Sequence, residues 1–163
     1  MTDSNIVIIG GGGHARVTAG ALQEAGVNIL GYTEIKTDQR STNMLGVPCM
    51  GDDSSLEAID PASVQLVLGV GGAVKPDIRA KLFNTWKKRG YAFSTVVHPS
   101  AFVDMSVKLG EGAQIMAGAV LQPGSNIEKN VLINTRAVID HDCRIAAHTH
   151  IAPGAVLCGQ VDV

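Results

Sequence analysis

Aromatic residues are scarce. They make up 4% of the 163 residues, while 45% of the chain is hydrophobic. A core of that size without rings is filled by Val, Ile, Leu and Ala, which suits a narrow, repetitive interior. Excess positive charge is also lacking: the formal net charge is −2, so no basic surface marks a nucleic-acid partner. No apolar run reaches the roughly 20 residues that span a bilayer. Residues 1–5 carry no basic group, and the apolar stretch after them is broken by four glycines, so a secretory signal is not expected. The three cysteines, Cys49, Cys143 and Cys158, have no paired spacing. That fits a reduced, cytoplasmic setting.

Two grammars divide the chain. Residues 1–96 alternate strand-like and helix-like segments. The run from Asn5 to Ile9 reads as a buried parallel strand ending in glycines, and a helix over His14–Ala25 stops at Gly26. Further strands are expected at Asn28–Tyr32, Val64–Val70 and Ala92–Val97. A helix is expected over Lys75–Arg89, with Ile78, Leu82 and Trp86 at four-residue intervals. This alternation predicts a Rossmann-like α/β domain, a parallel sheet with helices on its faces.

From residue 97 the period becomes six. Val97, Val103, Leu109, Ile115, Leu121, Ile127, Ile133, Ile139, Ile145, Ile151, Leu157 and Val163 are all aliphatic. The residue four places after each, from Ala101 to Val161, is small or β-branched. A short strand plus a turn can send its first and fifth residues inward. Three such units close a triangular coil, and stacked coils satisfy one another's backbone groups. Residues 97–163 therefore predict a parallel β-helix. Val163 falls on an inward position in mid-pattern, so further coils are expected beyond it.

Several residues could carry chemistry. Gly10, Gly11, Gly12 and Gly13 follow a strand and open a helix, where bare N–H groups favour a phosphate. A tight strand-to-helix turn is the plainer explanation of the same glycines. Glu34 ends the second strand, where an acid often meets a ribose. The Gly10, Gly12, Ala15 spacing also fits an NAD-type oxidoreductase. Asp140, His141 and Asp142 occupy outward positions of one hexad. An imidazole there can take a proton from an attacking amine or hydroxyl, with a carboxylate beside it to fix the tautomer. Asn134 and His150 also face outward, and His148 lies two residues before His150. Cys143 takes an inward slot, and its spacing to the two histidines matches no closed zinc site, so no metal is expected.

Three stretches together carry a family resemblance: residues 6–16 with the glycines and His14, residues 96–101 at the junction, and residues 133–143 followed by His150. The chain resembles the sugar acyltransferases of the sialic acid O-acetyltransferase and PglD type. The resemblance implies a left-handed β-helix, a homotrimer, acetyl-CoA as donor and active sites between neighbouring subunits. It implies His141 as general base and Asp142 as its partner, where the family usually has Glu. It places His14 and Asn134 in the sugar site and His150 near the acetyl thioester. The acceptor it implies is the amine of a UDP-4-amino-4,6-dideoxy sugar in surface glycan synthesis, with a sialic acid-type O-acetyltransferase as the alternative. Family members run further coils that bind much of the coenzyme, so an incomplete coenzyme site, or a non-catalytic trimeric scaffold, is a further expectation for the sequence as it stands.

Overall fold

The computed structural model describes residues 5–35, 44–72 and 76–163. Ile6–Ile9 (β1) runs straight into the glycines and helix α1 (Gly13–Glu24). Then follow β2 (Ile29–Thr33), a short 3-10 turn at Asp53–Ala58, β3 (Gln65–Leu68), α2 (Pro76–Lys88) and β4 (Ala92–Phe93). These strands form one parallel sheet in the order β2-β1-β3-β4. All four residues of β1 are buried, as expected for a central strand covered on both faces. Gly26, with φ +70°, supplies the left-handed residue that ends α1.

Two local expectations need correction. The stretch Ala92–Val97 is not one strand. β4 pairs with β3, while Val96–Val97 (β5) pairs with Gln114–Ile115 of the second sheet system. Ser94 and Thr95 turn the chain between them, and an apolar run alone does not reveal such a break. On α2 the buried face is Arg79, Phe83 and Trp86, whereas Ile78 is exposed. Trp86 keeps its expected place and Leu82 packs partly against the core, but Arg79 and Phe83 are buried as well because α2 packs on both the sheet and the β-helix. Phe83 stacks on Phe93 with ring centroids 4.4 Å apart.

After β5, ten two-residue strands follow at intervals of six: β6 (Phe102–Val103), β7 (Lys108–Leu109), β8 (Gln114–Ile115), β9 (Val120–Leu121), β10 (Asn126–Ile127), β11 (Leu132–Ile133), β12 (Val138–Ile139), β13 (Arg144–Ile145), β14 (His150–Ile151) and β15 (Val156–Leu157). Each pairs in parallel with the strand three steps along the chain, which makes three sheets around one axis, a left-handed β-helix. The second residue of each strand points inward. Ile115, Leu121, Ile127, Ile133, Ile139 and Ile145 are essentially inaccessible and share one cluster with Ala113, Ala119, Val131, Ala137 and Cys143. Val97 and Val163 lie outside that cluster, 37% and 47% exposed. Every fourth hexad position from Gly112 to Gln160 has positive φ, including Asn130, Arg136, Asp142 and His148. The corner itself requires the left-handed backbone, whatever residue occupies it.

The three faces differ in what covers them. Val96, Gln114 and Leu132 on the first face are buried, and α1 packs there through a cluster joining Ala15, Ala19 and Leu22 to Val96, Met116 and Leu132. The second face shows Lys108, Asn126 and Arg144. The third shows Phe102, Val120, Val138 and Val156, with Phe102 and Val156 the most exposed.

Candidate functional site

The glycines after β1 form the floor of a cleft of about 450 Å³. Gly10 has φ +101°, a conformation that a side chain would strain. A Cβ at Gly11 would come within 2.6 Å of the Glu34 carboxyl carbon, so the backbone and this acid lie in contact. Gly12 and Gly13 are open, with nothing within 4 Å of an added Cβ, and Gly12 is the N-cap of α1 without any side-chain cap. The helix therefore starts with free N–H groups beside the cleft, the arrangement that receives an anion. Asp53 also lines the cleft and accepts a 2.5 Å hydrogen bond from the Thr33 hydroxyl. Sequence reasoning missed it, because it lies on a 3-10 turn far from the glycines in sequence.

Three of the expected residues, His14, Asn134 and His150, fall into one neighbourhood where the cleft meets the β-helix. His14, on the first turn of α1, bonds through Nε2 to Gln114 Oε1 at 2.8 Å. Burial lowers its pKa to about 4, and the cationic Arg79 and nearby His150 act in the same direction. His150, on β14, accepts from Asn134 Nδ2 at 3.0 Å. The Asn134 amide is oriented by its own Oδ1, which accepts from the Thr135 N–H at 2.8 Å. Burial and Arg79 lower the pKa of His150 as well. Gly72 backs onto the His150 ring; a Cβ there would sit 3.2 Å from Nδ1.

Arg79 and Gln114 were invisible to sequence reasoning. Arg79 is 1% exposed, and it donates to Val70 O at 3.0 Å and to Asn130 O at 3.3 Å. It thus ties the segment beside the cleft to a β-helix corner. Its position on a polar-looking helix gave no sign of burial. His148 belongs to this framework, bonded to Asn130 at 2.8 Å and edge-on to Phe83.

His141 and Asp142 stand apart from the cleft. Both are exposed, on the corner between β12 and β13, with His141 Nδ1 3.0 Å from Asp142 Oδ2. The backbone N–H of His141 is held by Asp140 Oδ1 at 2.8 Å. Gly124 and Gly159 are the equivalent residues one coil before and after. A Cβ on Gly159 would overlap His141 Nε2, and one on Gly124 would overlap Asp142 Oδ1. The pair therefore sits in a slot between two bare stretches of backbone. Cys143 is buried beneath it with Sγ 3.2 Å from Cys158 O, and a buried thiol in apolar surroundings is inert.

Residues 5–86 match the PglD N-terminal domain family, and residues 124–159 match the bacterial transferase hexapeptide family. A solved perosamine N-acetyltransferase from Caulobacter crescentus is 36% identical over 98% of this chain and 73% of its own, with a TM-score of 0.88; that structure holds CoA and GDP-perosamine. The acetyltransferase domain of PglB from Neisseria gonorrhoeae FA1090 is 31% identical over 93% of this chain and 72% of its own, with a TM-score of 0.83. The chain belongs to the PglD-type sugar acyltransferases. WeeI from Acinetobacter baumannii AYE, 18% identical over 98% of this chain and 74% of its own, shares the fold at a TM-score of 0.79. The glycine cleft is thus a feature of an acyltransferase, and its resemblance to a nicotinamide site is one of spacing alone. No helix among the described residues of this acyltransferase is long and apolar enough to cross a membrane.

Proposed function

We propose that this acyltransferase moves an acetyl group from acetyl-CoA to the amine of a nucleoside diphosphate-linked sugar, with His141 as general base. The observation that carries this reading is the His141–Asp142 pair. Asp142 occupies Nδ1, so Nε2 is left with a lone pair directed at the slot beside Gly159. In that position it can take the proton from the nitrogen as the nitrogen attacks the thioester carbonyl. The C–N bond forms, the C–S bond breaks, and the thiolate of CoA recovers the proton from the imidazolium. The diphosphate rests on the N–H groups of Gly11, Gly12 and Gly13, since the Gly10 N–H is donated to Thr33 O at 2.9 Å, and Glu34 meets the ribose. His14, Asn134 and His150 face the sugar and the thioester. CoA and GDP-perosamine bound together in the Caulobacter neighbour support this pairing of substrates, as does acetyl coenzyme A in the Neisseria neighbour.

His141 does not line the glycine cleft. The apolar third face supports an assembly that would unite them, since Asn134 borders that face on one edge and His141 on the other. A second copy docked on Phe102, Val120, Val138 and Val156 would bring its own cleft toward His141, and three copies would close the ring. Phe102→Asp is expected to yield monomers in sedimentation, with loss of transfer. Mixing inactive His141→Ala and Gly12→Asp chains is expected to restore part of the activity, because one interface in a mixed assembly is intact. Failure of the mixture to recover any activity would remove the shared site.

The direct test incubates the full-length protein with acetyl-CoA and with UDP- and GDP-linked 4-amino sugars in separate arms, and weighs the products. The UDP arm follows from the family resemblance and the GDP arm from the Caulobacter neighbour. Acetylation at nitrogen in either arm supports the reading. Acetylation in neither, with transfer to a hydroxyl of a sialic acid instead, would replace the amine with an oxygen acceptor.

A further inference from the structure

Gln114 occupies the outward position of β8, which normally meets solvent, yet it is 1% exposed. Its side chain crosses from the β-helix to the α/β sheet. Nε2 donates to the carbonyl of Leu68, at the end of β3, at 2.8 Å. That bond fixes which end of the amide is which, because the reverse orientation would set two oxygens against each other inside the protein. Oε1 must then face His14, and it lies 2.8 Å from Nε2 of that ring. An amide oxygen only accepts, so His14 Nε2 carries the proton. Nδ1 consequently holds the lone pair, and it has no hydrogen-bond partner among the described residues.

We propose that Gln114 is a positioning residue that locks His14 in the Nε2–H tautomer, so that the cleft presents an Nδ1 acceptor and selects a substrate group that donates, an amine or a hydroxyl, over an anion. The inference rests on the acetyl-transfer reading only for the identity of that group. The lock itself follows from the bonds. Around the ring, Arg79 on α2 and His150 on β14 are the charged or titratable groups that act on it, and both disfavour a second proton. Thr18 Oγ1, 3.4 Å from Nε2, is the remaining contact on α1 itself. With no proton on Nδ1, His14 cannot form an ion pair with a phosphate. The negative charge of the substrate is left to the glycine N–H groups, and the position of the sugar is left to His14.

The test has two independent arms. Long-range proton–nitrogen NMR of the full chain without substrate should show His14 as the neutral Nε2–H form at pH 7. A ring protonated on Nδ1, alone or on both nitrogens, would overturn the proposal while leaving acetyl transfer untouched. In Gln114→Glu, the carboxylate opposite the ring should raise the titration of His14 and turn Nδ1 into a donor. The KM for the nucleotide sugar should then rise about tenfold or more, the equivalent of one lost hydrogen bond, with the KM for acetyl-CoA within about twofold. Gln114→Met removes the lock without adding charge and should release the tautomer into a mixture. An unchanged His14 spectrum in both variants would overturn the proposal. Inactivity of the wild-type chain on every nucleotide sugar, with the tautomer as stated, would instead count against the acetyl-transfer reading.

Discussion

Asp142 holds the imidazole of His141 through a 3.0 Å contact to Nδ1, and it does so from a left-handed backbone at φ 58°. Asp and Asn tolerate that conformation better than most residues. Asp142→Asn therefore keeps the corner and removes the charge that stabilises an imidazolium. Because both side chains are exposed to solvent, the cost should be smaller than for a buried dyad, about 10- to 100-fold in kcat. Circular dichroism and thermal midpoint should be unchanged. Wild-type kcat in this variant would show that Asp142 has no part in the reaction.

Gly159 is expected to matter for rate and not for folding. Its φ is ordinary, but a Cβ there would overlap His141 Nε2. An exposed ring can swing away cheaply, so Gly159→Ala should leave the melting temperature within about 2 °C. It should nonetheless lower kcat by about tenfold or more, because a displacement of an ångström is costly at a reacting centre. Steady-state kinetics together with a melting curve checks both halves.

Gly69 shows the opposite balance. A Cβ there would lie 2.6 Å from the Ala15 Cβ and 2.8 Å from Gly10 O and from Ile8. None of these is the end of a flexible side chain. Gly69→Ala should therefore destabilise the chain by about 1–3 kcal/mol, the range of an overpacked core, as read by urea unfolding. The nearest atoms to a Cβ on Gly11 are all in the Glu34 carboxylate, the far end of a flexible side chain. Gly11→Ala should spare stability and raise the KM for the nucleotide sugar.

Acid should weaken the fold as the buried histidines are forced to take up protons. His14 ionises near 4 in the folded chain against 6.5 when unfolded. Between those values the unfolded chain holds more protons, so stability falls as the pH drops from about 6.5 toward 4. The loss from His14 is at most roughly 3 kcal/mol. His148 and His150, also held below their ordinary range by burial, add losses of the same sign. Urea titrations across this window should show the decline, and His14→Gln should flatten it.

Much of this was legible in the residues because the β-helix repeats. A six-residue alternation of aliphatic and small residues admits few other arrangements, and Ile115 through Ile145 line one interior as the period requires. The glycines before α1 and the outward Asp140–Asp142 hexad were equally plain. What stayed hidden was contact between distant segments. Arg79 looks like an ordinary surface cation of a helix, and Gln114 like a solvent-facing rung residue. Each is buried because the α/β sheet lies over one wall of the prism. The break after Phe93 was unreadable for the same reason: a strand ends where its partner ends, and partners are chosen in space.

The imidazole of His141, as the base that releases the acceptor nitrogen, is the centre of the proposed reaction. The most direct test of that role compares the full-length protein and its His141→Ala variant in a single assay, following CoA release and the mass of the nucleotide sugar together. Acetylated amino sugar is expected with the wild type and a kcat lower by about 100- to 10,000-fold in the variant, with an unchanged melting curve. Equal rates for the two proteins would contradict it.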